Sequence, residues 1–235
     1  MDAMTPGPHD VTFDFRALSA REKYKLMIGT VVPRPIALVT TVDLEGRINA
    51  APFSFFNCLS ADPPILALGV ENHPDMRFKD TGLNIRLTEV FTVNIVSHAI
   101  AEAMHVCSVP FPPERDELQA AGLTAMPGKT VASPWIKEAP AAFECRRHIT
   151  LELGKSRQII LGEILFAHYH SDVVDADRLH IDPATLDAIA RLGGNTCSTI
   201  RDRFEMATPT LDDFCRGEGS PPSSESTTGQ RGSTP

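Results

Sequence analysis

The sequence predicts a mainly β protein, built as an antiparallel barrel of six strands with peripheral α-helices. Two observations carry this prediction. Compact β-branched or alternating apolar runs suited to strands recur along the chain, and most of them are joined by short turns. A doubly wound parallel sheet would instead need strands and helices in regular alternation, and the sequence does not show that pattern.

The first predicted elements are a helix and a hairpin. Ser19-Ala-Arg-Glu22 has the spacing of a capping box, in which hydroxyl and carboxylate satisfy each other's backbone N–H groups, and predicts a helix over residues 20–28. The apolar run 36–42 and the segment 47–56 are separated by a turn that ends at Gly46, where glycine can adopt positive φ. This arrangement predicts a β-hairpin.

Further strands and helices follow from the same two kinds of pattern. Compact or alternating apolar runs predict four more strands, over residues 65–70, 91–96, 143–153 and 159–170. Helical spacing and cap residues predict short helices over residues 81–86, 99–105, 114–121 and 183–193. We expect one domain over residues 11–215. Residues 1–10 and the tail 216–235, which is rich in Gly, Pro, Ser and Thr, are predicted to be disordered.

Composition excludes several classes of protein. The net charge is −8, from 30 acidic and 22 basic residues without a basic block, so we expect no nucleic-acid partner. Five widely spaced cysteines without a C-x-x-C pair argue against a disulfide framework or a zinc ribbon and fit a reducing cytoplasm. No apolar run is long enough to span a membrane and no secretory signal precedes the domain, so we expect a cytoplasmic protein without a membrane partner.

Motif searches exclude further chemistry. The sequence lacks G-x-G-x-x-G, G-x-S-x-G and H-E-x-x-H. The segment from Gly122 to Gly128-Lys129-Thr130 resembles a phosphate-binding loop, but five residues instead of four separate its glycines and it follows a predicted helix. His168 and His170 share a strand face near acidic residues, which fits a solvated strand end better than a metal site. We therefore expect no metal.

Three segments point to a site for a planar ring and an anion. The stretch from Asn49 to Phe55 contains small residues, a proline and β-forming aromatics, so a ring can lie against its backbone and free N–H groups can meet the ring's polar edge. The alternative is an edge strand weakened by Pro52. Lys79 and Thr81 open a short helix, where Thr81 as N-cap and the helix dipole would cradle an anion. The alternative is an ordinary capped surface helix.

Arg34, held between two prolines, is predicted to offer its guanidinium to the same anion. By itself it would be only a surface arginine. The candidate cofactor-binding residues are Arg34, Pro35, Ile36, Asn49, Ala50, Ala51, Pro52, Phe53, Ser54, Phe55, Lys79, Asp80, Thr81 and Asn84.

Taken in order, these segments resemble the flavin reductase-like family of FMN-binding split barrels. The similarity runs from about Tyr24 to Phe204 and rests on segments 32–41, 49–57, 63–64, 79–85 and 91–95, with a late Arg191-Leu-Gly-Gly-Asn195 that is similar to the family's closing motif. The family usually has a tyrosine two residues after that asparagine. Here Cys197 stands in its place, and a thiol offers no ring for stacking on a substrate or a nicotinamide.

The resemblance implies a six-stranded split barrel that forms a homodimer and holds FMN near the subunit interface. It implies that Arg34, Lys79 and Thr81 contact the phosphate, and that the isoalloxazine contacts the backbone of residues 49–54 with Phe55 nearby. It also implies transfer of reducing equivalents from NAD(P)H, a transient co-substrate, to flavin or a small acceptor, including supply of reduced flavin to a partner monooxygenase. Two alternatives stay open: an electron carrier that retains FMN and serves a protein partner, and a flavoenzyme acting directly on an organic substrate.

Overall fold

Antiparallel strands dominate the fold. The computed structural model describes residues 10–112 and 114–211 of the chain. Its helices are α1 (Ala20–Thr30), α2 (Asp80–Thr88), α3 (Ala101–Val106), α4 (Glu117–Ala121) and α5 (Pro183–Leu186). Its strands are β1 (Arg34–Pro35), β2 (Ala37–Val42), β3 (Ile48–Phe53), β4 (Phe56–Ala61), β5 (Pro64–Glu71), β6 (Val90–Ile95), β7 (Ala125–Met126), β8 (Trp135–Ile136), β9 (Ala141–Leu153), β10 (Arg157–Tyr169), β11 (Val174–Asp175), β12 (His180–Ile181), β13 (Ile189–Arg191) and β14 (Cys197–Thr199).

The main sheet has the strand order β3-β2-β6-β9-β10-β5-β4, and every neighbouring pair is antiparallel. The chain passes from β3 to β4 through only Ser54 and Phe55. Because β3 and β4 are the two edges of the sheet, this short connection brings the edges together at one corner. The backbone N–H of Gly69 donates to the carbonyl of Phe55 at 2.7 Å and fixes this corner. The predicted mainly β barrel is therefore confirmed.

The strand count differs from the predicted six, because the main sheet has seven strands. The segment 47–56 was expected to form one strand, but β3 ends at Phe53 and a separate strand, β4, begins at Phe56. The side chains of β4 are mostly exposed, and a bulge at Cys58–Ser60 interrupts its register with β5. A strand of this kind lacks the regular alternation on which the sequence prediction rests.

Strand β2 is buried on both faces and forms the centre of the fold. Ala37 and Val39 pack into one apolar cluster with Phe91. On the opposite face, Leu38 packs into a second cluster that includes Leu118 of α4. Because an apolar cluster covers each face, every residue of β2 is buried. Strand β2 thereby holds the neighbouring strand β3 in a fixed position.

A second, three-stranded sheet with the order β1-β13-β14 holds the segment before the barrel against the segment after it. The helix predicted over residues 183–193 is wrong beyond Leu186. Asp187 has a φ of 41°, in the left-handed region, and ends α5 there. The following residues Ile189–Arg191 form β13 because they pair with β1, a partner distant in the sequence.

The chain forms two compact units, Met1–Ile200 and Arg201–Pro235. All described strands belong to the first unit, and the described residues 201–211 of the second unit are exposed. The predicted disordered segments 1–10 and 216–235 lie outside the described residues except for Asp10, and the single domain over residues 11–215 stays a prediction. Within the described ranges, no helix has the length and hydropathy required to cross a bilayer.

Candidate functional site

Three of the predicted site residues meet in a polar cluster where β2, β3 and α2 come together. Nδ2 of Asn49 donates to the hydroxyl of Thr81 at 3.0 Å, and Nδ2 of Asn84 donates to the hydroxyl of Thr41 at 3.0 Å. Asn49 also reaches Thr41, at 3.3 Å. Thr81 is therefore not the predicted N-cap of α2, because its hydroxyl is used inside this cluster and Lys79 occupies the cap position.

An acidic cleft of about 350 Å³ lies beside this cluster, between α2 and the β2–β3 turn. Its polar lining includes four carboxylates but only one basic side chain, Arg47. The carboxylates are those of Asp43, Glu45, Asp80 and Glu117. Arg47 pairs with Asp43 at 2.6 Å and with Glu45 at 3.0 Å, so Asp80 and Glu117 contribute the uncompensated charge. This charge opposes the binding of a dianion inside the acidic cleft.

An apolar cleft of about 420 Å³ lies at the other end of β3, where the barrel corner meets α1. Four predicted site residues line it, namely Arg34, Pro35, Ser54 and Phe55. Its remaining walls are mainly aliphatic and aromatic side chains, including Met27 of α1 and Ile159 of β10. Three other predicted residues, Asn49, Asp80 and Asn84, line the acidic cleft, so Arg34 does not share a cleft with them, and the remaining seven predicted residues line neither cleft.

Arg34 is buried, and backbone carbonyls already occupy much of its guanidinium. Nη1 donates to the carbonyls of Ile28 and Val31 at 2.6 Å each, and Nη2 donates to the carbonyl of Leu192 at 2.9 Å. The guanidinium predicted to be free for an anion therefore ties the end of α1 to residues 191–195, the closing segment. Among the described residues no carboxylate lies within ion-pair distance of Arg34, and its buried Nε–H has no hydrogen-bond partner. A buried positive charge without a counter-ion favours electron-rich groups in the apolar cleft.

Glu117 of α4 is a buried residue at the site that the sequence did not indicate. Its Oε2 accepts a hydrogen bond from the backbone N–H of Ala50 at 3.1 Å. Alternate residues of an antiparallel edge strand point their N–H groups away from the partner strand, and Ala50 belongs to this outward set together with Pro52. Glu117 accepts the outward N–H of Ala50, and Pro52 has no N–H. Neither position therefore offers the free N–H group that was expected to meet the edge of a ring.

The sequence predicted an anion site at the start of α2, and no side chain caps this turn. Lys79 is exposed, and its side chain makes no capping hydrogen bond. The first-turn N–H groups of α2 have no partner within the helix, as at every helix N-terminus, and the helix dipole adds partial positive charge there. Lys79 lies outside the lining of both clefts, whereas the neighbouring Asp80 lines the acidic cleft.

The loop that resembles a phosphate-binding loop binds an internal anion. The backbone N–H groups of Lys129, Thr130 and Val131 all donate to the carboxylate of Glu144, at distances of 2.6 to 3.0 Å. His168 contacts the same carboxylate through Nε2 at 2.6 Å, and His170 contacts the carbonyl of Lys137. In residues 10–112 and 114–211, no three His, Cys, Asp or Glu side chains are grouped closely enough to hold a metal ion.

The closing segment lines a third cavity, of about 690 Å³, beside α3. Arg191, Asn195 and the exposed Cys197 lie in its wall together with His98 and His105. Nη2 of Arg191 donates to the carbonyl of Gly194 at 2.7 Å.

Comparison with known proteins decides the family. Residues 28–188 match the model of the flavin reductase like domain. The chain belongs to this family. An uncharacterized protein of Deinococcus radiodurans is 42% identical over 200 residues, covering 83% of this chain and 88% of that one. The uncharacterized protein YwrF of Bacillus subtilis is 37% identical over 203 residues, covering 84% of this chain and 98% of that one.

Solved structures of several other proteins share the fold. The 2-nitrobenzoate 2-nitroreductase NbaA of Pseudomonas fluorescens is 35% identical, with a TM-score of 0.79 over 86% of this chain and 98% of that one. Nitrilotriacetate monooxygenase component B from Bacillus cereus is 27% identical, with a TM-score of 0.81 over 85% of this chain and all of that one. A flavin reductase with a split barrel domain from Shewanella frigidimarina, 22% identical, has a TM-score of 0.73 and covers 85% of this chain and all of that one.

Proposed function

We propose that this protein is an FMN-dependent oxidoreductase that takes hydride from NAD(P)H and passes reducing equivalents to free flavin or to a small acceptor. The observation that carries the proposal is the apolar cleft, in which a barrel corner, two prolines and a buried guanidinium meet. Membership of the flavin reductase-like family supports a redox role. Similarity to a monooxygenase component B supports supply of reduced flavin to a partner monooxygenase.

The residues of the apolar cleft fit an isoalloxazine ring. Pro35, Ser54 and Phe55 would hold the ring, since apolar walls with a few polar groups are typical of cofactor sites. Arg34 has no carboxylate partner among the described residues and keeps an unpartnered Nε–H, so its charge favours the ring when the ring gains electron density. Bound FMN supplies hydride and electron transfer through its ring. The protein residues bind and orient the cofactor and tune its electrostatic surroundings.

The phosphate is proposed to bind at the start of α2, where Lys79 and Thr81 were predicted to contact it. The uncapped first turn offers backbone N–H donors, and the exposed Lys79 adds a positive charge. From Asn49 to Ser54 the chain spans about 16 Å at the usual rise of a strand, and this length suits an extended FMN with its ring at the opposite end. Asn49, Asp80 and Asn84 face the acidic cleft instead, whose charge opposes a phosphate.

A second candidate function is direct reduction of an organic substrate by the bound flavin. The 35% identity to a 2-nitrobenzoate 2-nitroreductase favours this candidate. The apolar cleft, of about 420 Å³, also has a volume in the range of small-molecule sites. In either case NAD(P)H would stack on the flavin only transiently, because the sequence contains no dinucleotide-binding motif.

We further propose that the protein is a homodimer. Ile149, Leu151 and Leu153 of β9 are exposed on one face of the sheet, opposite Ile159 and Leu161 of β10. Ile159 also lines the apolar cleft, so this face continues into the proposed flavin site. Burial of such a face against a second copy would remove apolar surface from water and complete the cleft wall. Light scattering at micromolar concentration tests the dimer, and a monomer with FMN bound would contradict a shared site.

The function is tested by cofactor binding followed by turnover. Purified protein should quench FMN fluorescence in a titration and retain flavin absorbance after desalting with excess FMN. Steady-state oxidation of NADH and NADPH is then measured with and without added free FMN. Turnover that depends on added flavin supports the flavin reductase, and turnover that requires an aromatic nitro compound supports the second candidate. A protein that binds no FMN would remove the basis of both.

A further inference from the structure

Arg34 brings a buried and uncompensated positive charge to the wall of the apolar cleft. We propose that this charge makes the cleft bind reduced flavin, as an anion, more tightly than oxidised flavin, so that the protein keeps the cofactor until its electrons have been passed on. The inference rests on the proposed function, because it names the redox state of the flavin that the same cleft selects.

The guanidinium of Arg34 is removed from water without being neutralised. Arg34 is only 8% exposed, and its Nη1 and Nη2 donate to backbone carbonyls, which carry no net charge. Its buried Nε–H has no partner among the described residues. Because a charge is costly to bury unless an opposite charge compensates it, an anion in the apolar cleft would recover part of this cost.

A second arginine lies directly opposite Arg34. Arg34 of β1 and Arg191 of β13 are paired residues of an antiparallel sheet, and like charges at such positions repel each other. Arg191 donates to the carbonyl of Gly194, so its charge is not neutralised there either. In residues 10–112 and 114–211, neither arginine has a carboxylate within ion-pair distance. An anion bound near this pair would offset the repulsion.

The surroundings of Arg34 supply no opposing net charge. Among the described residues, no acidic side chain lines the apolar cleft. The last turn of α1 contains no charged residue, and Cys58 is the one titratable residue of β4. Arg157 lies 5.8 Å from the ring centre of Phe55, but it is paired with Glu71 at 3.1 Å, so this ion pair adds no net charge. The apolar cleft therefore favours an anion that has an apolar body.

Reduced flavin is such an anion. The oxidised isoalloxazine is neutral at neutral pH, whereas the reduced ring loses the proton on N1 near neutral pH and then carries one negative charge. When hydride is transferred, the C4–H bond of the dihydronicotinamide breaks and an N5–H bond of the flavin forms. The hydride brings two electrons and one proton, so the neutral ring becomes the anion without a further proton. Since a guanidinium stays protonated, its attraction for the anion has no counterpart in the oxidised ring.

The redox potential of the bound flavin measures this preference directly. Full-length protein in excess over FMN is reduced stepwise without oxygen, and the potential is read from absorbance against a reference dye and compared with that of free FMN. At pH 8 we expect the bound flavin to have a potential at least about 30 mV more positive, which corresponds to tenfold tighter binding of the reduced form in a two-electron couple. A difference of zero or of the opposite sign would overturn the proposal.

Two further measurements on the unmodified protein separate charge from shape. The difference in potential should shrink as the pH falls from 8 to 5, because the reduced ring then takes up its second proton and becomes neutral. A difference that stays constant with pH would show that apolar contacts cause the preference, and would overturn the proposal. Riboflavin should show the same difference as FMN, since the charge acts on the ring. A difference seen with FMN alone would place the effect at the phosphate and would also overturn it.

Variants assign the preference to the charge of Arg34. Arg34→Lys keeps the charge and Arg34→Met removes it, while neither can make all the hydrogen bonds of the guanidinium, so a purely structural role would affect both alike. We expect Arg34→Lys to retain most of the preference and Arg34→Met to reduce it at least fivefold. Arg178→Met is the matched control, because it removes one positive charge at an exposed position outside the apolar cleft, and it should leave the potential unchanged.

The outcomes distinguish this inference from the proposed function. Equal potentials in Arg34→Lys and Arg34→Met would overturn the role of Arg34. If Arg34→Met does not fold, the pH dependence of the unmodified protein decides. A protein that binds both redox states of FMN equally would overturn the inference and leave the proposed function standing, whereas a protein that binds neither state would overturn both.

Discussion

Thr130 donates both its backbone N–H and its hydroxyl to the same carboxylate oxygen, Oε2 of Glu144, each at 2.6 Å. Two further N–H groups of the loop and the ring of His168 complete the shell around this fully buried carboxylate. A loop of successive N–H groups is an anion cradle, and here the anion is the carboxylate of Glu144, near the start of β9. The arrangement fastens the loop before β8 to the barrel and explains why the chain resembles a phosphate-binding loop without needing a phosphate.

Replacement of Glu144 by Gln should destabilise the fold by about 2–4 kcal/mol, because an amide accepts fewer and weaker hydrogen bonds and turns an N–H₂ group towards the loop donors. Urea unfolding at neutral pH measures the change. Glu163→Gln, also a carboxylate of the β9–β10 hairpin but in an exposed pair, should change stability by less than about 1 kcal/mol. Equal effects of the two substitutions would mean that the loop contacts contribute little.

The same carboxylate should make stability depend on pH. Burial by itself raises the pKa of Glu144, but hydrogen bonds from Thr130, Lys129 and His168 outweigh it and hold the value at about 2, below the ordinary 4.5. A depressed pKa stabilises the folded state above the ordinary value, and this contribution, about 3 kcal/mol, is lost as the pH falls from about 5 towards 2. Urea midpoints measured across this range should decline more steeply for the native protein than for Glu144→Gln. Parallel curves would contradict the assignment.

Gly162 on β10 should not tolerate a side chain. A Cβ there would lie 2.3 Å from Cζ of the fully buried Phe91 and 3.3 Å from Cβ of Cys145. Gly162→Ala should therefore cost about 1–3 kcal/mol through overpacking. Gly29→Ala is the control, since a Cβ at that position in α1 meets nothing within 4 Å, and it should stabilise the protein by about 0.5–1 kcal/mol. Thermal unfolding distinguishes the two, and a neutral Gly162→Ala would show that the barrel interior can expand there.

The sequence predicted local structure well where short-range chemistry determines it. The capping box of Ser19 and Glu22 forms as expected, and Gly46 closes the β2–β3 hairpin with a φ of 82°. The two failures have different physical causes. Strand β13 replaces a predicted helix because it forms against β1, a partner distant in the chain. Strand β4 pairs with the adjacent β5, but its exposed side chains and its bulge remove the alternation on which the prediction rests.

In the candidate site, too, the sequence implied some contacts, and others are shown only by the fold. The sequence assigned Asn49, Thr81 and Asn84 to one site, which implies that they lie close together. The structure does bring them together. The contact of Glu117 with Ala50 could not be predicted, because a glutamate in a short helix carries no signal for a partner 67 positions away. For Arg34, the flanking prolines suggested a rigid fork, but only the fold shows that carbonyls of α1 and of the closing segment occupy it.

The final prediction separates recognition of the phosphate from recognition of the ring, by comparing FMN with riboflavin. Lys79→Ala should weaken FMN by about 1.5–3 kcal/mol, the range for hydrogen bonds to charged groups, and leave riboflavin nearly unchanged. The exposed Lys137→Ala, outside both clefts, controls for loss of one positive charge.

Arg34→Ala should weaken both ligands and lower the melting temperature, because its guanidinium lines the apolar cleft and also holds α1 to the closing segment. Fluorescence titrations of the variants with both ligands give the double difference, in which a damaged fold affects FMN and riboflavin alike. If Lys79→Ala weakened riboflavin as much as FMN while the melting temperature held, the phosphate would lie away from the start of α2. If Arg34→Ala weakened FMN alone, the ring would lie outside the apolar cleft and Arg34 would act on the phosphate, as the sequence resemblance implies.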